Sequence, residues 1–259
     1  MDAPAVKVKS DIDFMEESCR ITAEAIRLTA RYAAPGVTTQ ELDVIADDFI
    51  RSSGGVPAFK GYVVDGKKFP AAICTSIDEE VVHGIPGERK LVEGEILSID
   101  AGVYKNGFYG DSAFSVAIGK VSEEKEKLLR ITQESLHEGI AVVRDGAMVY
   151  DIGRAVQEYV EEHGFSVVRE LCGHGVGQKL HQEPSIPNFV PNFREKKFFR
   201  NVPLREGQTI AIEPMVNAGT HKVYVKRDGW TVVTADHAPS AHFEHTVLVT
   251  KSGAVILTQ

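Results

Sequence analysis

Apolar residues recur at helical spacing along the first part of the chain. Phe14, Ile21, Ala25, Leu28 and Tyr32 form one stripe of a stretch from Asp11 to Ala34, and Pro35-Gly36 stops it. Thr38-Thr39 reads as the cap of a second helix through Leu42, Ile45, Phe49 and Ile50, which Gly54-Gly55-Val56-Pro57 ends. A loop rich in glycine and lysine, Lys60 to Lys68, leads to the apolar run Ala71 to Thr75.

The pattern then changes period. Glu95 to Val103 and Phe108 to Ile118 read as strands joined by Asn106-Gly107, a dipeptide suited to the positive φ angles of a tight hairpin turn. Helices are predicted over Glu123 to Val143 and Met148 to His163, the latter with Tyr150, Ile152, Val156 and Val160 among its apolar positions. Short strands are predicted at Thr209 to Pro214, Val223 to Lys226, Gly229 to Thr234 and His242 to Thr250. Helix, helix, strands occurs twice, with no linker or low-complexity segment between. The order predicts one α+β domain over residues 1–259, built from two similar halves.

Composition narrows the class. With 259 residues, 43% hydrophobic and 25% charged, the chain is long enough for a sizeable core. A net charge of -8 excludes a nucleic-acid grip across the whole surface and gives no reason to expect specific DNA binding. Cys19, Cys74 and Cys172 are too few and too scattered for a disulfide framework or a thiolate zinc site. The start MDAPAVKVKSDIDFMEES carries acids where a leader needs apolar residues, and no run approaches the roughly 18 apolar residues of a membrane span. A soluble protein of a reducing compartment, the cytoplasm, is the expectation.

Several polar residues sit where strands and glycines surround them. If Asn106-Gly107 is the turn, residue 111 faces residue 102, and Asp100 is two positions from 102 on the same face. Asp100 and Asp111 are then diagonal neighbours about 7–8 Å apart at Cα. Aspartate is poor strand material, and two ionised carboxylates on a partly buried face repel unless a cation lies between them. His174 sits in Cys172-Gly173-His174-Gly175-Val176-Gly177, where glycines permit close approach of the backbone to another group, and His181 opens an HQEP turn. Glu213 ends the run Ile210-Ala211-Ile212, and Glu244 opens another in His242-Phe243-Glu244-His245-Thr246. Singly, each acid reads as well or better as a solvent-facing residue. Together, two Asp, two Glu and one His form a hard-oxygen set with one imidazole. Such a set suits Mn, Fe, Co or Zn, and four carboxylates hold two cations about 3.5–4 Å apart.

The order of the motifs adds a resemblance. HGIP at 83–86, ID and GD at 99–111, GHGVG followed by His181, AIEP at 211–214 and HFEHT at 242–246 resemble the methionine aminopeptidases, most closely the bacterial type I form, over essentially the whole chain. The resemblance implies the pita-bread α+β fold, two pseudo-symmetric halves around a central dinuclear site, and removal of the initiator methionine from nascent polypeptides whose second residue is small. It implies two divalent ions (Co, Mn, Fe, Zn or Ni), with Asp100 chelating one, Asp111 and Glu244 bridging, and His174 and Glu213 completing the second. Glu213 would also accept and pass on the proton of the attacking water. His181 would donate to the developing oxyanion, and His83 would contact the scissile amide or the residue after it. Tyr62, Phe69, Cys74, Leu180 and Trp230 fall where the family lines its methionine pocket. A monomer is implied.

This chain departs from the family pattern in places. Gln182 follows His181 where an acid is common, Leu180 replaces a common aromatic, and the Val63 to Lys68 stretch is longer than usual. Asp78 replaces a common asparagine near a loop that in relatives holds a monovalent cation. Residues 192–205, NFREKKFFRNVPLR, carry five cations against one acid, interleaved with Phe193, Phe198 and Phe199. Such a stretch suits ribosomal RNA, with rings on bases and cations on phosphates. The alternative is a solvated loop whose phenylalanines pack on the rim of the active site. Two other functions share the fold: a proline-directed peptidase, which usually carries a large extra N-terminal domain, and a binding module that has lost its metals.

Overall fold

The structure is a computed structural model that describes residues 9–259. Residues 1–8, part of the stretch read for a leader, lie outside the described residues. Two helices come first, α1 (Lys9–Tyr32) and α2 (Thr39–Ser52). Thr38 caps α2: its Oγ1 accepts from Glu41 N at 3.1 Å, and Glu41 Oε2 accepts from Thr38 N at 2.7 Å, which satisfies backbone donors the helix leaves orphaned. Short strands β1 (Val56–Pro57), β2 (Val63–Val64), β3 (Lys67–Lys68), β4 (Ile73–Ile77) and β5 (Glu80–Val82) lead to a long hairpin of β6 (Ile96–Lys105) and β7 (Phe108–Ala117). Helices α3 (Glu123–Ala141) and α4 (Val149–Glu162) follow. The remainder is β8 (Ser166–Val167), β9 (Gly173–Gly175), β10 (Gln182–Ile186), β11 (Thr209–Ile212), β12 (Met215–Asn217), β13 (Val223–Val225), β14 (Val232–Thr234), β15 (Ser240–His242), β16 (Glu244–Val249) and β17 (Ala254–Ile256).

The main sheet runs β1-β6-β7-β16-β11-β9-β10, with β4 also on β6 and β17 also on β16. The hairpin has the predicted two-residue turn. Lys105 pairs with Phe108, Asn106 and Gly107 have φ of 52° and 88°, and Gly102 faces Asp111. Helices cover one face of this sheet. Ile99 and Ala101 of β6 pack with Ile26, Leu42 and Ala46, while Ile210, Ile212, Val247 and Val249 pack with Leu128, Ile131, Ile152 and Val156. Each Val, Leu or Ile among them contributes about 1.5–3 kcal/mol on full burial. The opposite face of the same strands is left for chemistry.

Three expectations need correction. Along α1, Ile21 and Ala25 are buried as expected, but Phe14 and Tyr32 are exposed, and Met15, Ser18, Cys19, Thr22 and Ile26 are buried as well. Small residues win there because the helix backbone touches the hairpin: a Cβ on Gly110 would lie 2.6 Å from Cys19 N. Ser18 Oγ donates to Phe108 O at 3.1 Å and Thr22 Oγ1 to Gly110 O at 3.2 Å, so these polar groups are buried with partners. The HQEP segment, read as a turn, runs into strand β10. The strands predicted at Thr209 to Pro214 and His242 to Thr250 are each interrupted, at Glu213-Pro214 and at Phe243. Proline offers no N–H to a ladder, so β11 stops before it. Among the described residues, no helix is long and apolar enough to cross a membrane.

Candidate metal centre

Strand register decides where the acids meet. Asp100 pairs with Ala113, and Ala113 pairs on its other side with Glu244. One row along, Asp111 N donates to Thr246 Oγ1 at 3.3 Å while Thr246 Oγ1 donates to Asp111 O at 2.7 Å. Thr246 pairs with Ala211, and Ala211 with His174. Glu213 stands two positions beyond Ala211, one past the end of β11. Residues an even number of positions apart share a strand face. Asp100, Asp111, Glu244, Glu213 and His174 therefore project from one face of five adjacent strands, β6, β7, β16, β11 and β9.

Their ligand atoms converge. One atom each of Asp100, Asp111 and Glu244 lie within 4.8 Å of one another, as do atoms of His174, Glu213 and Glu244. Asp100 Oδ1, Asp111 Oδ1 and Glu244 Oε1 are buried with no hydrogen-bond partner. Orphaned buried carboxylate oxygens are expensive unless a cation satisfies them, so this set fits divalent metal. Burial pushes the Asp100 carboxyl up to about 7. Burial first, then neighbouring carboxylates, hold Asp111, Glu213 and Glu244 well above the usual range.

His174 is held neutral. Burial, then nearby His181, lowers its pKa to about 3, and its Nδ1 donates to Gly175 O at 2.9 Å. Its Nε2 lone pair then faces Glu213 Oε1 at 3.5 Å and Asp111 Oδ2 at 3.7 Å. The flanking glycines serve the sheet: a Cβ on Gly173 would lie 2.3 Å from Ala211 O, and one on Gly175 2.3 Å from Glu183 O.

Beside the acids opens a cavity of about 180 Å³. The family model for metallopeptidase family M24 matches residues 13–251. The chain is 45% identical over 254 residues to the methionine aminopeptidase of Borreliella burgdorferi, covering 98% of each chain. The crystal structure of methionine aminopeptidase from Rickettsia prowazekii matches with a TM-score of 0.93 at 39% identity, covering 99% of this chain and 100% of that one. The chain belongs to the methionine aminopeptidases of family M24. A prolidase from Pyrococcus furiosus shares the fold, at 21% identity and a TM-score of 0.78, and this chain covers 65% of it. The architecture is the pita-bread fold, and the chemistry of family M24 is that of a metallopeptidase.

The residues expected at the metal centre, the catalytic positions and the methionine pocket all line this one cavity: His83, Asp100, Asp111, His174, His181, Glu213 and Glu244, with Tyr62, Phe69, Cys74, Leu180 and Trp230. Phe69 and Trp230 meet edge to face at 5.2 Å, and His83 faces Trp230 at 6.5 Å. Burial, then His181, takes His83 down to about 4, so its ring is neutral. Sequence reasoning missed Phe59, Leu171, Cys172 and Met215 on the cavity wall. Cys172 adjoins the Gly173-His174 pair and Met215 follows Glu213 by two, so strand alternation was the available signal. Burial keeps the thiols of Cys74 and Cys172 protonated, the latter pushed up to about 12. At Asp78 the neighbouring positive charge comes from the chain itself. Lys125 Nζ donates to Asp78 Oδ1 at 2.6 Å and to Gly94 O at 2.7 Å.

Proposed function

We propose that this chain is a cytoplasmic, monomeric methionine aminopeptidase, a single catalytic domain that removes the initiator methionine from nascent proteins whose second residue is small. The observation that carries this reading is the five-donor face set against a cavity walled by Phe59, Phe69, Cys74, Leu180, Met215 and Trp230. Aromatic edges and a small sulfur residue suit a flexible thioether.

Asp100, Asp111, His174, Glu213 and Glu244 would hold two divalent ions, drawn from Co, Mn, Fe, Zn and Ni. Such ions lower the pKa of water toward neutrality and polarise a scissile carbonyl. Glu213 takes up the proton of the attacking water and passes it to the leaving amine. His181, held neutral by burial, donates toward the carbonyl oxygen as negative charge develops there. His83 contacts the scissile amide or the residue after it, and larger second residues collide with the walls. Hydrolysis of Met-Ala-Ser, Met-Asp and Xaa-Pro peptides, with Mn, Fe, Co and Zn added in turn, tests the reading. Comparable rates across the set, or preference for Xaa-Pro, would overturn it in favour of the proline-directed alternative.

A docking role on ribosomal RNA for residues 192–205 has its own support. Phe193 is 92% and Phe198 69% exposed, with Lys197 Nζ 4.6 Å above the Phe198 ring. Of the three phenylalanines Phe199 packs inward, against Phe189 at 5.5 Å, Val202 and Leu204 anchor the end of the segment in the core, and none of the segment lines the cavity. Changing Arg194, Lys196, Lys197 and Arg200 to Ser should weaken ribosome co-sedimentation, steeply with salt, and leave peptide hydrolysis intact. Unchanged co-sedimentation would refute it.

A further inference from the structure

His242 has no part in the chemistry above and does not line the cavity. It is 2% exposed, and its Nε2 is buried without a hydrogen-bond partner. Its backbone is pinned. His242 N donates to Ser115 Oγ at 2.9 Å, Ser115 Oγ donates to His242 O at 2.8 Å, and Ser98 Oγ lies 2.7 Å from Ser115 Oγ. Strand pairing sets His242 opposite Met215, two positions from Glu213, the relation of diagonal neighbours.

The consequence is a carboxylate between two imidazoles. Glu213 Oε1 lies 3.5 Å from His174 Nε2, and Glu213 Oε2 lies 3.7 Å from His242 Nε2. The second gap exceeds a hydrogen bond by about half an ångström, and a small rotation of the Glu213 side chain closes it. An imidazole N–H left unpaired in the interior is costly, so that rotation is favoured. We propose that His242 is a positioning residue: its Nε2–H donates to Glu213 Oε2, fixes the carboxylate rotamer and leaves Oε1 directed at the metal centre. The proposal rests on the reading of Glu213 as ligand and proton acceptor. It concerns a residue that touches neither substrate nor metal and acts only through Glu213.

Two nearly isosteric variants separate a donor from a mere filler. His242→Gln keeps an N–H at similar reach, while His242→Met fills the space and offers none. Three quantities are measured for each: metal-free melting temperature, Mn²⁺ affinity by calorimetry, and kcat and KM on Met-Ala-Ser. His242→Met should melt near the wild type and keep its KM, yet lose about 10–100-fold in kcat and Mn²⁺ affinity, the usual effect of removing the partner of a ligand. His242→Gln should stay within about threefold of the wild type on both, since one neutral hydrogen bond replaces another. Equal losses in both variants would mean that the imidazole itself is needed, and no loss in either would mean that nothing is positioned. Failure of both to fold would make the residue structural. Each of these outcomes overturns the proposal. A wild-type protein that neither binds Mn²⁺ nor cleaves the peptide would instead overturn the functional reading beneath it.

Discussion

Tyr62 Oη lies 2.8 Å from His181 Nδ1, and the two rings meet edge to face at 5.4 Å. Burial raises the phenol's pKa and lowers that of His181, so the phenol keeps its proton and donates it to a neutral ring. The imidazole proton then rests on Nε2. Tyr62 thus has a second task beyond lining the pocket. Tyr62→Phe should retain metal and lower kcat roughly three- to tenfold, the worth of one neutral hydrogen bond. His181→Ala should cost about 10²–10³ in kcat with metal content unchanged. Turnover on Met-Ala-Ser with elemental analysis of each variant measures both. A His181→Ala enzyme with normal turnover would remove the role given to that ring.

Asp111→Asn or Glu244→Gln should abolish metal uptake and hydrolysis together. The same substitutions should raise the melting temperature of the metal-free protein, because each removes one member of a crowded carboxylate set in which Asp100 Oδ1, Asp111 Oδ1 and Glu244 Oε1 lack hydrogen-bond partners. Calorimetric melting in chelator, beside metal titration, distinguishes this from a folding defect. A lower metal-free melting temperature would show that the acids are not in conflict.

The same crowding predicts a pH dependence. A carboxyl whose folded pKa is raised, as for Asp100 at about 7, gives stability that is present at low pH and lost as pH rises toward the folded value. The depressed histidines His83 and His174, at about 4 and about 3, act oppositely and cost stability only below their unfolded value. That unfolded value is about 6.5. From about pH 6.5 to 8 the carboxyls govern, so metal-free protein should melt lower at the higher pH. Added Mn²⁺ should stabilise more at the higher pH, since it binds the deprotonated set. A melting temperature flat across that window, without metal, would contradict the raised carboxyls.

Gly173→Ala should be severe for a residue that carries no side chain. Its Cβ would meet Ala211 O at 2.3 Å, which forces β9 and β11 apart and moves His174. A loss of about 1–3 kcal/mol is expected from such overpacking, with weaker metal binding. Chemical denaturation and calorimetry on the variant would check both, and wild-type values would show that the sheet yields without cost.

Asn106-Gly107 alone determined that Asp100 and Asp111 share a face, because a two-residue turn fixes hairpin register within a dozen residues of chain. The cap at Thr38 was likewise local. So was the second helix pair, read from periodicity close to its observed bounds. The stripe of α1 differs from the apolar pattern because Ser18 and Thr22 look like surface residues until Phe108 and Gly110 of the hairpin supply carbonyls to bond. Motif order named Glu213, Glu244 and His174, but their meeting depends on β16 pairing with β11 and, across more than a hundred residues, with β7. Tertiary structure alone decided that Tyr62 orients His181, that Lys125 neutralises Asp78, and that His242 lies against Glu213. Local preferences are written into neighbouring residues, whereas these contacts join distant segments whose approach is set by the packing of the whole sheet.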